Sequence, residues 1–285
     1  MKKQLRTALA ALLAAFTLLP LTACGAPNTT PPTEGSDEEI VSPLPDGSTE
    51  NTPDEPTVEQ PEETPEQAPA PVEPVVDSYF RCTSENVNLR SGAGTGYAIL
   101  GQAEKNTTYA IIGKQGNWYK TYYRGKVAYF YAEYAAVFSL ESSKNKQVEQ
   151  VIDEAYKHIG VPYVYGAVRL HDGTGRFLGG FTAQKFDCSS LVQYVFYQAA
   201  GKILQTTTRT QVKQGKYVAP SDLQRGDCIF FTNESREHLT GVERVGHVAI
   251  YLGNNYILHT ASDFARIEKI STQRWNYYIE ARRFV

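Results

Sequence analysis

The sequence predicts an α+β protein in two unequal modules: a small all-β unit, then a larger one in which a helix precedes an antiparallel sheet. Three observations lead there. The chain has 285 residues, 41 % of them hydrophobic and 12 % aromatic, enough for a sizeable core. Residues 25–77 concentrate 12 of the 15 prolines and 14 of the 31 Asp/Glu, and no Lys, Arg or His occurs between Arg6 and Arg81. That stretch cannot bury enough apolar surface to fold, so the core belongs to residues 78–285. There, short β-rich runs broken by Gly and Asn come first, followed by helix-period segments and then by strands.

Taken in order, the N-terminus has basic Lys2, Lys3 and Arg6, an apolar run from Ala8 to Leu19 and a small residue before Cys24. This is the layout of a secretory signal over residues 1–23, too short for a comfortable membrane span. Leu21-Thr22-Ala23-Cys24 resembles the lipobox of bacterial lipoproteins, which implies lipid modification of Cys24 and an anchored, extracytoplasmic protein. Residues 24–77 read as a disordered Pro/Glu/Thr-rich linker whose prolines and mutually repelling carboxylates keep it extended, with a reach of roughly 160 Å. The formal charge of −3 for the whole chain conceals a globular half, 78–285, with 25 basic and 17 acidic residues. A net +8 there points to an anionic polymer such as cell wall, nucleic acid or membrane surface.

The small module, 78–140, is expected to hold strands at Val87–Arg90, Tyr109–Ile112, Trp118–Tyr123 and Val127–Tyr131. The larger module, 141–285, opens with a helix capped by Ser142 or Ser143, carrying Val148, Val151, Ile152, Ala155 and Ile159, and closed by Gly160. A second helix carries Leu191, Val192, Val195, Phe196 and Ala199 up to Gly201, which sets Cys188 in its first turn. There the helix dipole and unpaired N–H groups are expected to lower the thiol pKa. Strands follow at Asp227–Thr232, His247–Leu252, Tyr256–Thr260 and Tyr277–Phe284.

His247 and His259 lie twelve residues apart across Gly253-Asn254-Asn255. A two-residue loop at Gly253-Asn254 would set His259 opposite Val248, so bringing both imidazoles to one face demands an odd loop or a bulge. Val248, Ile250, Leu252 and Leu258 then point to the other face. A helix-start thiol with two imidazoles has the form of nucleophile, base and base-orienting group. A Cys/His/His zinc site is the competing use of these residue types, but no close-spaced ligand pair is present, so no metal and no cofactor is expected. His158, His171 and His238 are expected to be solvated or capping, Arg209 structural, and Cys82 and Cys228 buried apolar fillers.

Two resemblances extend this reading. VNLRSGAGTGYAILG with GNWYKTYYRGKVAYFYAEYAAVF resembles a bacterial SH3-like domain, with Tyr129 and Phe130 where that family usually has Trp. GVPYVYGA, FDCSSLVQYVFYQAAG, LQRGDCIFF and VGHVAIYLGNNYILHTAS resemble the NlpC family of papain-like cysteine peptidases, which cut peptidoglycan stem peptides. The second resemblance implies a papain-like α+β fold, with Cys188 as nucleophile, His247 as general base and His259 as the orienting residue. It further implies Tyr163 at the oxyanion and substrate site, and Asp187 and Ser189 as stem-peptide contacts. Departures are Gly166-Ala167 for the usual Gly-Gly, Ser190 after the nucleophile, and long intervals from Gly166 to Cys188 and from Asn233 to Val245. The implied reaction is cleavage of the γ-D-glutamyl bond to meso-diaminopimelate or lysine by a monomer. Its partners are peptidoglycan and, through Cys24, a membrane, with no nucleic acid. A thiol amidase or acyltransferase on the same fold, or a non-catalytic wall-binding lipoprotein, are the alternatives.

Overall fold

A computed structural model describes residues 76–261 and 263–285, so the signal, Cys24 and most of the linker lie outside the described residues. The first eight strands are β1 (Val76–Cys82), β2 (Val87–Arg90), β3 (Ile99–Ala103), β4 (Thr108–Ala110), β5 (Gly113–Gln115), β6 (Trp118–Tyr123), β7 (Lys126–Tyr131) and β8 (Ala135–Glu141). Five of them form one antiparallel sheet in the order β3-β2-β7-β6-β5. Phe130 is no groove aromatic: it is fully buried and stacks on Phe80 with ring centroids 4.4 Å apart. Trp118, Tyr131 and Tyr134 instead line a surface cavity of about 840 Å³.

The helices are α1 (Lys146–Tyr156), α2 (Cys188–Ala200), α3 (Thr208–Gln211) and α4 (Thr272–Asn276). The later strands are β9 (Lys216–Val218), β10 (Cys228–Phe231), β11 (His247–Gly253), β12 (Tyr256–Thr260), β13 (Ala265–Lys269) and β14 (Tyr278–Arg283). The cap of α1 is Asn145, whose side chain accepts from Gln147 N at 3.0 Å, rather than either serine; Ser143 Oγ accepts from Asn145 N one turn earlier. The helix ends at Tyr156, and Gly160 (φ 82°) closes the irregular turn beyond it. Its apolar stripe, Val148, Val151, Ile152 and Ala155, is buried, as the spacing required.

The larger sheet has nine strands in the order β8-β1-β4-β13-β12-β11-β10-β14-β9. Three strands of the first module therefore extend the sheet of the second. β1 and β8 pair along Val76–Cys82 and Ala135–Glu141, while β4 meets β13 through Thr108 and Ile267. One buried cluster runs through both modules, from Phe80, Leu89 and Phe130 to Ile152, Phe196 and Val248. Where the modules meet, Arg225 is 7 % exposed. It binds both Glu149 oxygens at 2.9–3.2 Å, the Tyr79 hydroxyl at 2.9 Å, the Tyr156 hydroxyl at 3.1 Å, the Leu252 carbonyl at 3.1 Å, and Asp77. Every nitrogen of this guanidinium has a partner, which a buried charge requires.

Cys82 and Cys228 are both buried and unpaired. His158 and His171, expected to be solvated or capping, are both buried. His158 packs edge-on to Phe186 and Tyr194, with Nε2 3.4 Å from Glu154, and His171 Nδ1 accepts from Gly173 N at 3.1 Å. His238 is exposed. No helix of the described residues is long and apolar enough to cross a membrane.

Candidate active site

Local chemistry at the start of α2 sets the thiol. Asp187 is the N-cap: its Oδ1 accepts from Ser190 N at 2.8 Å, while Ser190 Oγ accepts from Asp187 N at 2.8 Å. This reciprocal pair satisfies two orphan donors and puts Cys188 at the first helical position, while Gly201 (φ 61°) ends the helix. The thiol is 8 % exposed. Burial, and then the Asp187 carboxylate, push it up to about 12, against the N–H groups of Val248 and Ser189, which favour the thiolate. The expected lowering of the thiol pKa is thus corrected: the helix-start donors act on the sulfur, but desolvation outweighs them.

The imidazoles are set by a hairpin with a bulge. Ile250 pairs with Leu258 and Tyr251 with Ile257, but Gly253 pairs with Tyr256, so Leu252 is an extra residue. Gly253 has φ 94°, and the turn is Asn254-Asn255, both left-handed at φ 46° and 63°. The bulge supplies the required change of parity. Val248, Ile250, Leu252 and Leu258 join the larger core, while Ala249 and Ile257 join a smaller one on the opposite face. Continuing the register puts His259 opposite Ala249, so the two histidines are diagonal neighbours rather than direct cross-strand partners. Their rings stand 5.0 Å apart at 83°, with His247 Nε2 2.8 Å from His259 Nδ1.

The chain continues past His259 into β13, which pairs with β12 so that His259 lies opposite Arg266 and Ile257 opposite Glu268. Glu268 is therefore on the histidine face, one pair along. Its Oε1 is 3.1 Å from His259 Nε2, off the N–H axis, and accepts from the Arg274 guanidinium of α4 at 2.9 Å. Burial alone would raise the Glu268 carboxyl, but His259, Arg274 and Arg266 hold it at about 2. His247 is driven well below the ordinary imidazole range by burial, then by His259 and Arg274. His259 is lowered by burial in spite of Glu268. Glu268 and Arg274 were not foreseen from the sequence. Their signal is faint: a short charged segment, Ala265-Arg266-Ile267-Glu268, whose alternation places its polar residues beside His259.

Cys188, Tyr163, Asn233 and Gly246 border two cavities, and the thiol sits between them. One, about 420 Å³, contains His247 and Arg274. The other, about 500 Å³, contains Asp187, Ser189, Arg169, Arg209 and Arg236. Burial, and then Cys188 and Asp187, push the Tyr163 hydroxyl up to about 12, so it stays a hydrogen-bond donor. Asp187 has little capacity left for a ligand: besides Ser190 it accepts from the Ser189 hydroxyl at 3.0 Å, from Gly166 N at 3.2 Å and from Arg169 at 2.7 Å. Arg169 comes from the long Gly166–Cys188 interval and also donates to Ser189 Oγ at 3.0 Å. Arg209 Nε approaches Glu243 at 3.4 Å, and Arg236 reaches the same carboxylate at 3.5 Å. No group of His, Cys, Asp and Glu suited to a metal ion occurs among the described residues.

A helix-start thiol laid against an antiparallel sheet, in one cleft with a coupled histidine pair, defines the class: an α+β protein with a thiol–imidazole site. Comparison with known proteins adds family matches over two parts of the chain. Residues 160–283 match the NlpC/P60 family and residues 85–136 the bacterial SH3 domain, so the chain carries an NlpC/P60 domain behind a bacterial SH3 domain. It is 36 % identical over 126 residues to gamma-DL-glutamyl hydrolase of Bacillus subtilis (strain 168), covering 44 % of this chain and 26 % of that one. It is 38 % identical over 108 residues to murein DD-endopeptidase MepS/murein LD-carboxypeptidase of Escherichia coli (strain K12), covering 37 % and 53 %. The chain thus spans between about a quarter and about half of these two relatives. A solved NLP/P60 family protein from Staphylococcus aureus, described as similar to lipoprotein, is 28 % identical with a TM-score of 0.40, covering 58 % of this chain and 56 % of that one.

Proposed function

We propose that this chain is a peptidoglycan hydrolase, a cysteine endopeptidase that cuts stem peptides at the γ-D-glutamyl bond to meso-diaminopimelate or lysine. The observation that carries the reading is the convergence of Cys188 and the His247–His259 pair on one cleft, with Tyr163 on its wall. The B. subtilis relative's name specifies a γ-glutamyl bond and the E. coli relative's name specifies murein, which supports this substrate class. The arginines of the second cavity suit a peptide bearing free carboxylates.

Burial raises the thiol and lowers the imidazole, which favours the neutral pair at rest. Proton transfer therefore accompanies attack rather than preceding it. As Cys188 Sγ bonds to the glutamyl carbonyl carbon, its proton passes to His247; the C–N bond breaks, and His247 returns the proton to the leaving amine. Water then gives a proton to His247 and attacks the thioester, releasing the carboxylate product and restoring the thiol. On this reading the Tyr163 hydroxyl and the Cys188 N–H at the start of α2 receive the charge that develops on the carbonyl oxygen. The site works outside the cytoplasmic membrane, with Cys24 as the lipid anchor. Cys24→Ala should move the protein out of the membrane fraction without changing its specific activity.

The direct test is digestion of purified peptidoglycan, with mass spectrometry of the released fragments. Fragments ending in a free γ-carboxyl of D-Glu are expected. Fragments cut at a sugar linkage, or at the amide joining the stem to its sugar, would overturn the bond assignment.

A further inference from the structure

We propose that Glu268, held by Arg274, is a positioning residue that fixes the tautomers of both histidines and thereby makes Nδ1 of His247 the proton-accepting atom. The inference rests on the reading of His247 as the base, and it adds two residues from β13 and α4 to that reading. Its starting point is a chain of contacts with one consistent direction. Arg274 donates to Glu268 Oε1 at 2.9 Å, the same oxygen lies 3.1 Å from His259 Nε2, and His259 Nδ1 is 2.8 Å from His247 Nε2.

One placement of protons suits it best. A carboxylate is an acceptor and nothing else, so the nitrogen 3.1 Å from it, His259 Nε2, is the one favoured to carry the hydrogen, although the contact lies off the N–H axis. A neutral imidazole has one N–H, so His259 Nδ1 has a lone pair and accepts. His247 Nε2 must then be the donor in the 2.8 Å contact. The lone pair of His247 is left on Nδ1, the nitrogen not engaged by His259.

Burial makes the arrangement consequential. His259 is 1 % exposed, so in the native protein the group facing its Nε2 is Glu268 and not bulk water. Without Glu268 the two tautomers of His259 become comparable, and in the wrong one its Nδ1–H faces the His247 Nε2–H. His247 must then move its own hydrogen to Nδ1, where it is no longer a base toward the thiol. Among the described residues, those facing His259 are His247 of β11, Arg266 and Glu268 of β13 and Arg274 of α4, and of these Glu268 alone is acidic. Arg274 keeps that carboxylate ionised and aimed.

The test uses the full chain labelled with nitrogen-15 at histidine, with tautomers assigned from the ring nitrogen shifts, together with kcat and KM on stem peptides. In the wild type His247 and His259 should both be Nε2–H. Glu268→Gln retains an amide oxygen for His259 Nε2–H, so it should keep both tautomers and lose less than about tenfold in kcat; His259 should gain its proton at lower pH than in the wild type, since the charge is gone. Glu268→Ala should mix the tautomers and lower kcat by about 10- to 100-fold with little change in KM. A purely structural residue would lower the melting temperature in both variants and leave the tautomers alone. His259 carrying its proton on Nδ1 in the wild type, or unchanged tautomers and kcat in Glu268→Ala, would overturn the proposal. Should Glu268→Ala not fold, the wild-type and Glu268→Gln spectra decide the question. Expected tautomers in a protein that cuts no stem peptide would count against the proposed function and not against this arrangement.

Discussion

Two polar networks, one closing an arginine between two carboxylates and one joining an arginine and a single carboxylate to two histidines, sit in different parts of this molecule. Around Arg225, at the meeting of the modules, every donor ends on a fixed acceptor: Asp77, Glu149, two tyrosine hydroxyls and the Leu252 carbonyl. Around Glu268 the network is a line rather than a shell. It runs from Arg274 through Glu268 and His259 to His247, which lines the same cleft as Cys188. A closed network holds parts together, and an open-ended one can pass a proton. The same low dielectric that makes Arg225 expensive to unpair lowers the imidazoles and raises the thiol.

The contrast can be broken by substitutions that act on one network and not the other. Cys188→Ala should reduce hydrolysis by three or more orders of magnitude, on the order of 4 kcal/mol or above, with nearly the same melting temperature, because a small helix-start side chain carries little packing. His247→Ala should come close to it. His259→Ala should lose less than His247→Ala, and His259→Asn less still, since an acceptor for the His247 N–H survives. Kinetics on one stem peptide and thermal melts check all four. Equal activity of His259→Ala and wild type would remove His259 from the site.

Arg225→Met should do the opposite. Removing the guanidinium strands Asp77 and Glu149 in a half-buried junction, so a loss of about 3–5 kcal/mol in stability is expected, with kcat of the folded fraction near wild type. Denaturant unfolding with activity measured in parallel checks it. A large kcat loss at unchanged stability would mean that the closed network reaches the chemistry after all.

The turn offers a geometric test. Inserting one glycine between Asn254 and Asn255 cancels the parity change made by the bulge at Leu252-Gly253. Activity should fall at least tenfold whether the register slips or the loop absorbs the insertion at the cost of the 2.8 Å histidine contact. An insertion mutant with wild-type kcat would show that the bulge does not set the pair.

The smallest effect concerns pH. His247 and His259 are lowered, so the unfolded state binds more protons than the folded one below about 6.5, and stability falls as the solution is acidified through that range. Glu268, at about 2, adds stability that is present above its ordinary carboxyl range and is lost as pH falls toward 2. Denaturant midpoints should therefore decline from pH 7.5 to 5 and further below. A rise on acidification would contradict burial of neutral imidazoles.

Much of this was legible in the chain because side-chain period reports which face is buried. The stripe of α1, the helix-start position of Cys188 and the strand bearing His247 all follow from spacing, and the parity mismatch at Gly253 announced a bulge before its form was known. Three things were not legible. β1 and β8 join the modules into one sheet, and an edge pairing between distant segments leaves no local periodicity. Arg266 and Glu268 interrupt an apolar pattern because their face is the site, so β13 did not read as a strand. The depth of Cys188 depends on everything packed around α2, and that depth reversed the shift expected from the helix start alone.

The proposed acylation of Cys188 through the thiol–imidazole pair changes the mass of the protein itself during turnover. A stem peptide is mixed with the enzyme, the reaction is stopped in acid within milliseconds to seconds, and the protein is weighed intact and after proteolysis. The account predicts a thioester on the peptide containing Cys188, with the added mass of the acyl portion ending in γ-linked glutamate, formed in the wild type and absent in Cys188→Ala. Product release with no adduct at any quench time, together with undiminished hydrolysis by Cys188→Ala, would contradict it.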